Sequence, residues 1–433
     1  MKSSTDVLVI GAGVVGSSVA LEVARSGRSV ICVDKGSGPG AGSTSASSAI
    51  IRFSYSTIDS VLTAWESAAH WHAWHDHLGV DDPDGMARFI PTGMLIFDTP
   101  NGALHRLTPL WDDVGIAYEH LDAQQIADRF PALDVGSYFP PKAVDDPAFG
   151  NDAVGELTAL FDPSSGYIDD PLLAARNIAY AARHNGAEFV FHREVVAVDL
   201  DGGRVRGVRL DDGSVIAAPV VVNAAGPHSA GVNRLAGAER DMTIGNRPLR
   251  QEVFAVPGPA SLTLERGAPI VADLDLGQYF RPQVGGTLLV GGTEPECDPL
   301  EWIEDPDHFD EHPTVEKFET TMHRLARRLP EFGVPVRPVG LAALYDVADD
   351  WVPIYDASCV PGWFMACATS GNQFKNAPLA GKFMLALIEA AEQGRDHDRR
   401  PVQFRGSRTG RTIDLGAFSR RRTPAVTSGT VMG

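Results

Sequence analysis

Acidic side chains outnumber basic ones 56 to 37 over 433 residues, a formal charge of −19. A surface of that sign repels phosphate backbones and argues against a nucleic-acid partner, while a few local cations can still bind a small acid. With 44% hydrophobic and 21% charged residues the chain has the composition of a globular protein of two or three domains. No run of 18 apolar residues offers a membrane span, and nothing before Val7 reads as a signal peptide, so the expected location is the cytoplasm.

The elements run as follows. Val7-Leu8-Val9-Ile10 is an apolar run suited to a buried parallel strand. The turn Gly11 to Gly16 follows, and Val15, Val19 and Val23 then mark one helix face that Gly27 ends. Val30 to Val33 makes a second strand with Asp34 at its tip. Residues 36 to 55 are a Gly/Ser/Thr-rich loop, and a helix is predicted from about Ser60 to Leu78. Pro171 to His184 is a further predicted helix, introduced by Asp169-Asp170. Val195–Leu200, Val205–Leu210 and Val215-Ile216 alternate in polarity around Asp/Gly turns, which predicts a three-stranded meander. It leads to the buried strand Val220 to Asn223 and the small residues Ala224-Ala225-Gly226. Strands are expected over about 245 to 295, a helix over about Thr314 to Leu329, a strand near Trp363 to Ala368, and a long helix to about Ala391. The Arg-rich segment from about Gly394, with little apolar pattern, reads as an extended tail.

Gly11-Ala12-Gly13-Val14-Val15-Gly16 is G-x-G-x-x-G between a strand and a helix. Gly11 allows the tight turn, Gly13 the approach of the backbone to a pyrophosphate, and Gly16 the close packing of helix on strand. The helix N-terminus offers free N–H groups and partial positive charge to that pyrophosphate. Asp34, 18 residues past Gly16, is placed to accept ribose hydroxyls, with Lys35 beside it. The fingerprint does not separate NAD from FAD. Its extreme N-terminal place and the hydroxyl-bearing loop Gly42-Ser43-Thr44-Ser45 favour FAD.

Taken together, Asp6–Asp34, Gly42–Tyr55, Gly166–Pro171, Val195–Gly226, Tyr279–Glu294, Ala343–Asp356 and Ala368–Gly381 resemble the D-amino-acid oxidase superfamily. The resemblance is to its sarcosine oxidase, glycine oxidase and dimethylglycine dehydrogenase branch. It implies a mixed α/β chain: a Rossmann-type FAD domain with parallel sheet and meander, and a substrate domain on a mostly antiparallel sheet. The expected division is 1–85, 151–235 and 336–395 for FAD, 86–150 and 236–335 for substrate, and 396–433 as tail. It places Val195 against the adenosine half of FAD and Ala225-Gly226 along the dinucleotide cleft.

The same resemblance implies chemistry: oxidation of an amine next to a carboxylate, by hydride transfer to flavin, with hydrolysis of the imine. Arg52 matches an arginine, and Lys375 in Ser370-Gly371-Asn372-Gln373-Phe374-Lys375 a lysine, that pair with the substrate carboxylate. An arginine fork with an ammonium suits that group. Tyr279 and Arg281 lie on a strand that in the family faces the flavin ring. Gly371, Asn372, Gln373, Phe374 and Lys375 open the final helix, whose positive end would stabilise reduced flavin.

Three departures shape the expectation. Ala343 and Ala46 stand where relatives attach FAD through Cys or His, so non-covalent FAD is expected. Leu289 stands at the nearest match to a lysine that helps sarcosine oxidase reduce oxygen, which leaves O2 and a separate electron carrier both open as acceptor. The favoured substrate is a secondary or tertiary amine of an amino acid. A primary or cyclic amine is the alternative within the class, and an FAD-carrying subunit without turnover is the alternative outside it. His70, His72, His75 and His77 could share helix faces, but no Cys or acidic motif completes a metal site. The four cysteines form no C-x-x-C pair and are expected as free thiols.

Overall fold

Val7–Ile10 is buried at all four positions, as a strand covered on both faces must be. The computed structural model, which describes residues 3–100, 102 and 104–433, puts it inside a six-stranded sheet. The order is Ile354–Ala357, Trp363–Cys367, Val220–Asn223, Val7–Ile10, Val30–Val33, Glu188–Val190. All neighbours are parallel except the first pair. Helix Val14–Arg25 follows the first strand and ends where Gly27 takes φ +85°. The predicted helix Pro171–His184 forms at those bounds, with Asp170 accepting the Leu173 N–H. The meander also forms, as Val195–Asp201, Arg204–Leu210 and Val215–Ala217.

A second sheet carries Glu301–Trp302, Asn246–Pro257, Thr287–Gly292, Gln278–Gln283, Ile270–Asp273, Met94–Phe97, Ala159–Asp162 and Glu119–Leu121, in that order. Gly340–Ala348 pairs with Asn246–Pro257, and every pairing is antiparallel but that of Ile270–Asp273 with Met94–Phe97. Helix Val315–Arg328 covers it with Phe318, Met322 and Leu325, which are buried among Phe254, Phe280 and Val290. The chain is therefore mixed α/β, with a parallel sheet and a mostly antiparallel one.

Several sequence expectations change. The helix over 60–78 is two, Ile58–His72 and Trp74–Leu78, parted at Ala73, where the indoles of Trp71 and Trp74 stack 4.3 Å apart. No Gly or Pro marks that break. Strand Ala159–Asp162, expected on the cofactor side, pairs with Met94–Phe97, and strand Gly340–Ala348, also expected there, pairs with Asn246–Pro257. Both belong to the antiparallel sheet, so the expected boundaries at 150 and 336 cut through it. The final helix is Ala377–Glu392; Phe374–Asn376 is a 3₁₀ turn before it. Gly371 to Lys375 thus approach the helix without being its first turn.

The largest change is the end of the chain. In place of an extended tail, Gln403–Arg405 and Thr412–Asp414 form a hairpin, a 3₁₀ turn Leu415–Phe418 follows, and Val431 and Met432 are buried. Arg420 is buried against Asp241, Asp356 and Asp398, and Arg422 against Asp350. Paired charges, invisible to an apolar periodicity, anchor this segment.

Candidate active site

The glycine turn has the shape of a dinucleotide cradle. Gly11 takes φ +100°, and a side chain there would overlap the Ala224 carbonyl; one at Gly16 would overlap the carbonyl of Gly11. The Rossmann turn is thereby pressed against Ala224-Ala225 at the end of the neighbouring strand, with the Ala224 N–H donating to the Ile10 carbonyl at 2.8 Å. Gly13 begins helix Val14–Arg25 without a capping side chain. Its first turn, Val15 included, presents N–H groups of the kind that bind phosphate, while the Val14 N–H is taken up by Thr44 Oγ1. The final helix follows a strand parallel to Val7–Ile10 and touches the first helix at Gly381 and Ser18, so the two helices run the same way and present their N-termini together. These features fit a dinucleotide with a negatively charged middle.

The other expected cofactor residues surround this turn. Asp34 accepts the Ala12 N–H with one oxygen and the Gly36 N–H with the other, each at 2.6 Å, so it holds the turn's shape as well as its place beside it. Thr44 Oγ1 accepts the Val14 N–H at 3.1 Å, and Ser43 Oγ donates to the Leu344 carbonyl at 2.7 Å. The Gly42 loop is thus stitched both to the first helix and to the antiparallel sheet. Val195 is buried at the start of the meander, and Gly226 turns with φ +55° after the central strand. Lys35 points elsewhere and pairs with Asp307, which His228 also contacts.

Arg52 and Lys375, 323 positions apart in sequence, are brought together. Arg52 follows the short strand Ile50–Ile51; Lys375 sits in the 3₁₀ turn. The Lys375 ammonium donates to the Tyr55 hydroxyl at 2.9 Å and to the Asn372 carbonyl at 2.7 Å. The Arg52 guanidinium lies 4.8 Å from the Tyr55 ring and donates to the carbonyls of Ser54 and Val431, the latter at 2.7 Å. Both cations are buried, and among the described residues neither has a carboxylate partner. Burial, with Arg52 beside it, pushes the Lys375 ammonium well below the usual lysine range, and burial lowers Arg52 as well. Two buried positive charges without an acid are costly unless a ligand supplies one.

Tyr279 and Arg281 share a face of Gln278–Gln283. The Tyr279 hydroxyl and Ser48 Oγ are 2.6 Å apart. Arg281 Nε donates to the Ser48 carbonyl at 2.9 Å, its guanidinium lies 3.9 Å from the Tyr167 ring, and its buried Nη1 has no hydrogen-bond partner. Burial lowers it to about 10. Arg281 pairs in register with Leu289, so the leucine stands on the same face of the sheet. Asn372 and Gln373 turn inward: Gln373 Nε2 donates to Asn372 Oδ1 at 2.6 Å, and the Tyr355 hydroxyl donates to Gln373. Phe374 stacks on Trp71 at 5.4 Å.

Four residues join the site that the sequence reading did not single out as site residues. Tyr55 links the two cations; its Tyr-after-Arg spacing was the available signal. Tyr345 lies beside Tyr279 and Arg52. Glu294 is buried at its carboxyl, takes φ +50°, and is pushed up to about 7 by burial. Val431, from the end of the chain, bridges Arg52 and Glu294 through its backbone. The segment that brings it carries the buried ion pairs of Arg420 and Arg422, which no local pattern announces.

Two of the histidines pair with one another and with a lysine. His70 and His77 stack at 4.5 Å, with Lys382 Nζ 2.9 Å from His70 Nε2. Burial lowers them to about 4 and about 2. Among the described residues no group of three His, Cys, Asp or Glu is placed to hold a metal ion, and no described helix is long and apolar enough to cross a membrane.

Comparison with known proteins agrees with this geometry. The chain is 25% identical over 402 residues to glycine oxidase of Geobacillus kaustophilus (strain HTA426), covering 90% of this chain and 94% of that one. Among solved structures, L-proline dehydrogenase from P. horikoshii superposes with a TM-score of 0.75 at 20% identity, covering 98% of both chains. Glycine oxidase from Geobacillus kaustophilus does so with a TM-score of 0.72 at 22% identity, covering 98% of this chain and 100% of that one. The family model described as DAO, FAD dependent oxidoreductase, matches residues 6–387. A match running from the glycine turn to the last long helix makes this chain a member of the DAO family of FAD-dependent oxidoreductases, amine and amino-acid oxidising enzymes with FAD as cofactor.

Proposed function

We propose that the chain oxidises the C–N bond of a small amine that carries a carboxylate, with a secondary or tertiary amine of the N-methyl amino acid type as the preferred substrate. The observation that carries this reading is the pair Arg52 and Lys375: two buried cations, side by side, with no carboxylate partner among the described residues. A substrate carboxylate supplies the missing charge, with Arg52 as a fork and Lys375 as a point charge. FAD held at the glycine turn by Gly11, Gly13 and Gly16 would supply a hydride acceptor for the carbon that bears nitrogen, leaving an imine to hydrolyse in water. Tyr55 orients Lys375, and Tyr279, fixed by Ser48, forms a wall of the site. The similarity to a glycine oxidase supports an amino-acid substrate.

Anaerobic mixing tests the reading at the flavin band. N-methylglycine and N,N-dimethylglycine are expected to bleach it faster than glycine, proline or D-alanine. Bleaching by glycine or proline alone would replace the preferred substrate by a primary or cyclic amine. A flavin that no amine or amino acid reduces would overturn the assignment in favour of a non-catalytic FAD carrier.

Leu289, apolar and next to Arg281, favours an electron carrier over O2 as acceptor. We further hold FAD to be non-covalently bound, since Ala343 and Ala46 offer no nucleophile. Acid precipitation should leave the yellow colour in the supernatant. The parallel-sheet lobe is taken as the cofactor lobe and the antiparallel sheet as the substrate lobe.

A further inference from the structure

Val431 presents an α-amino-acid unit to a carboxyl on one side and a guanidinium on the other. Its N–H donates to Glu294 Oε2 at 2.8 Å, and its carbonyl accepts from Arg52 Nη2 at 2.7 Å. One Cα separates that nitrogen from that carbonyl carbon, the same spacing that lies between the amine and the carboxylate of any α-amino acid. The protein thus holds one of its own residues, nitrogen toward an acid and carbonyl toward a guanidinium.

Glu294 is poorly served by this contact. Its Oε1 is buried and has no hydrogen-bond partner, although a carboxylate can accept about four. Its φ of +50° is uncommon for a residue with a side chain, and such positions concentrate at ligand sites. The surroundings are those of the proposed site: Tyr279 and Tyr345 lie close enough to feel its charge, and Lys317 and Asp298 also act on it, in opposite senses. A substrate ammonium would give Glu294 charge-assisted hydrogen bonds in place of one neutral N–H.

We propose that Glu294 recognises the substrate's amine opposite Arg52, and that Val431 occupies this slot as an internal stand-in which substrate displaces. The inference rests on the carboxylate-bearing amine reading above and adds the amine pole to it. Displacement breaks the two Val431 hydrogen bonds and the Ser56 contact to Gly433, and it gives up the burial of Val431 against Leu249, Val347 and Trp351 and that of Met432, while the chain stays anchored earlier by Thr427 and Ala425 on Asp350.

Flavin-band titration of the holoenzyme tests it, with acetate as a carboxylate without an amine and with N-methylglycine and proline as amino acids. Glu294→Gln keeps an acceptor for Val431 but removes the charge. It should raise the apparent Kd of both amino acids about tenfold or more and leave that of acetate within about twofold. Val431→Pro removes the N–H that Glu294 holds and should tighten acetate and amino acids alike. Equal weakening of acetate and amino acids by Glu294→Gln would reduce Glu294 to a structural group and overturn the proposal. So would unchanged Kd values in Val431→Pro. A wild-type flavin deaf to acetate and to every amino acid overturns the carboxylate site and this inference with it. An acetate response that Arg52→Ala abolishes, with amino-acid Kd unmoved by Glu294→Gln, overturns the inference alone.

Discussion

Arg328 and Arg52 are almost equally buried, at 0% and 5% exposure, yet they are opposites. Arg328, at the end of its helix, donates to Asp273 at 2.8 Å and to Asp275 at 2.8 Å. Burial alone would lower it, but the two carboxylates outweigh that and hold it above the usual arginine value. Arg52 meets carbonyls and a hydroxyl only, so burial prevails and lowers it. Lys375 and Arg281 behave as Arg52 does. A cation compensated by protein carboxylates is part of the scaffold. A cation buried without one stores an electrostatic demand that a ligand can meet.

Removing the compensated cation should cost most. Arg328→Leu leaves Asp273 and Asp275 buried and unpaired, and the expected loss is roughly 3–5 kcal/mol in denaturant unfolding. Arg52→Leu leaves only neutral acceptors behind and should cost far less. Equal losses would dissolve the distinction between the two regions.

Two buried acids, Asp298 and Asp346, show the same contrast. Asp298 is buried but bonded to Arg324 at 2.7 and 2.8 Å, and although burial raises it the guanidinium holds it below the usual carboxylate range. Asp346 is buried without a cation partner among the described residues; it accepts from Ser229, Asn246 and the Ala368 N–H, and burial pushes it up to about 6. Between the ordinary carboxylate value and about 6 the folded state therefore holds a proton that the unfolded chain has lost. Stability should fall as pH rises through that window, by roughly 2–3 kcal/mol, and then level off. Asp346→Asn should flatten this slope in unfolding series at pH 4 to 7.

The uncompensated pair is read through ligands. Arg52→Ala should weaken a carboxylate-bearing substrate by about 1.5–3 kcal/mol in kcat/KM while sparing an uncharged amine. An equal effect on both substrates would remove Arg52 from carboxylate recognition.

This difference also marks what the sequence could and could not show. Gly11 to Gly16, Asp34, the meander and helix Pro171–His184 were legible because their causes are local: turn chemistry, caps and periodicity. Arg52 and Lys375 came from resemblance, since nothing local distinguishes a lysine destined for burial from a surface one. Tyr55 and Glu294, which line the candidate site, were not singled out because their contacts exist only once distant segments meet. The end of the chain was misread for the same reason that Arg328 is easily overlooked: buried ion pairs such as Arg420 with Asp356 carry no apolar signature. The helix break at Ala73 and the membership of Gly340–Ala348 in the antiparallel sheet are decided by tertiary partners.

The smallest expected effect concerns Lys375. Because burial and Arg52 lower its ammonium, its charge is lost at a lower pH than an ordinary lysine loses it. A carboxylate ligand needs the cationic form. Acetate affinity, followed at the flavin band, should therefore fall as pH rises through the lowered Lys375 value, while bound acetate, an added negative charge, shifts that value upward. Lys375→Met should bind acetate about tenfold more weakly at low pH and show no such fall, because Arg52 keeps its charge throughout. A wild-type profile that stays flat well past neutrality would mean that Arg52 alone answers the carboxylate, and would leave Lys375 with the task of positioning Tyr55 and the Asn372 carbonyl.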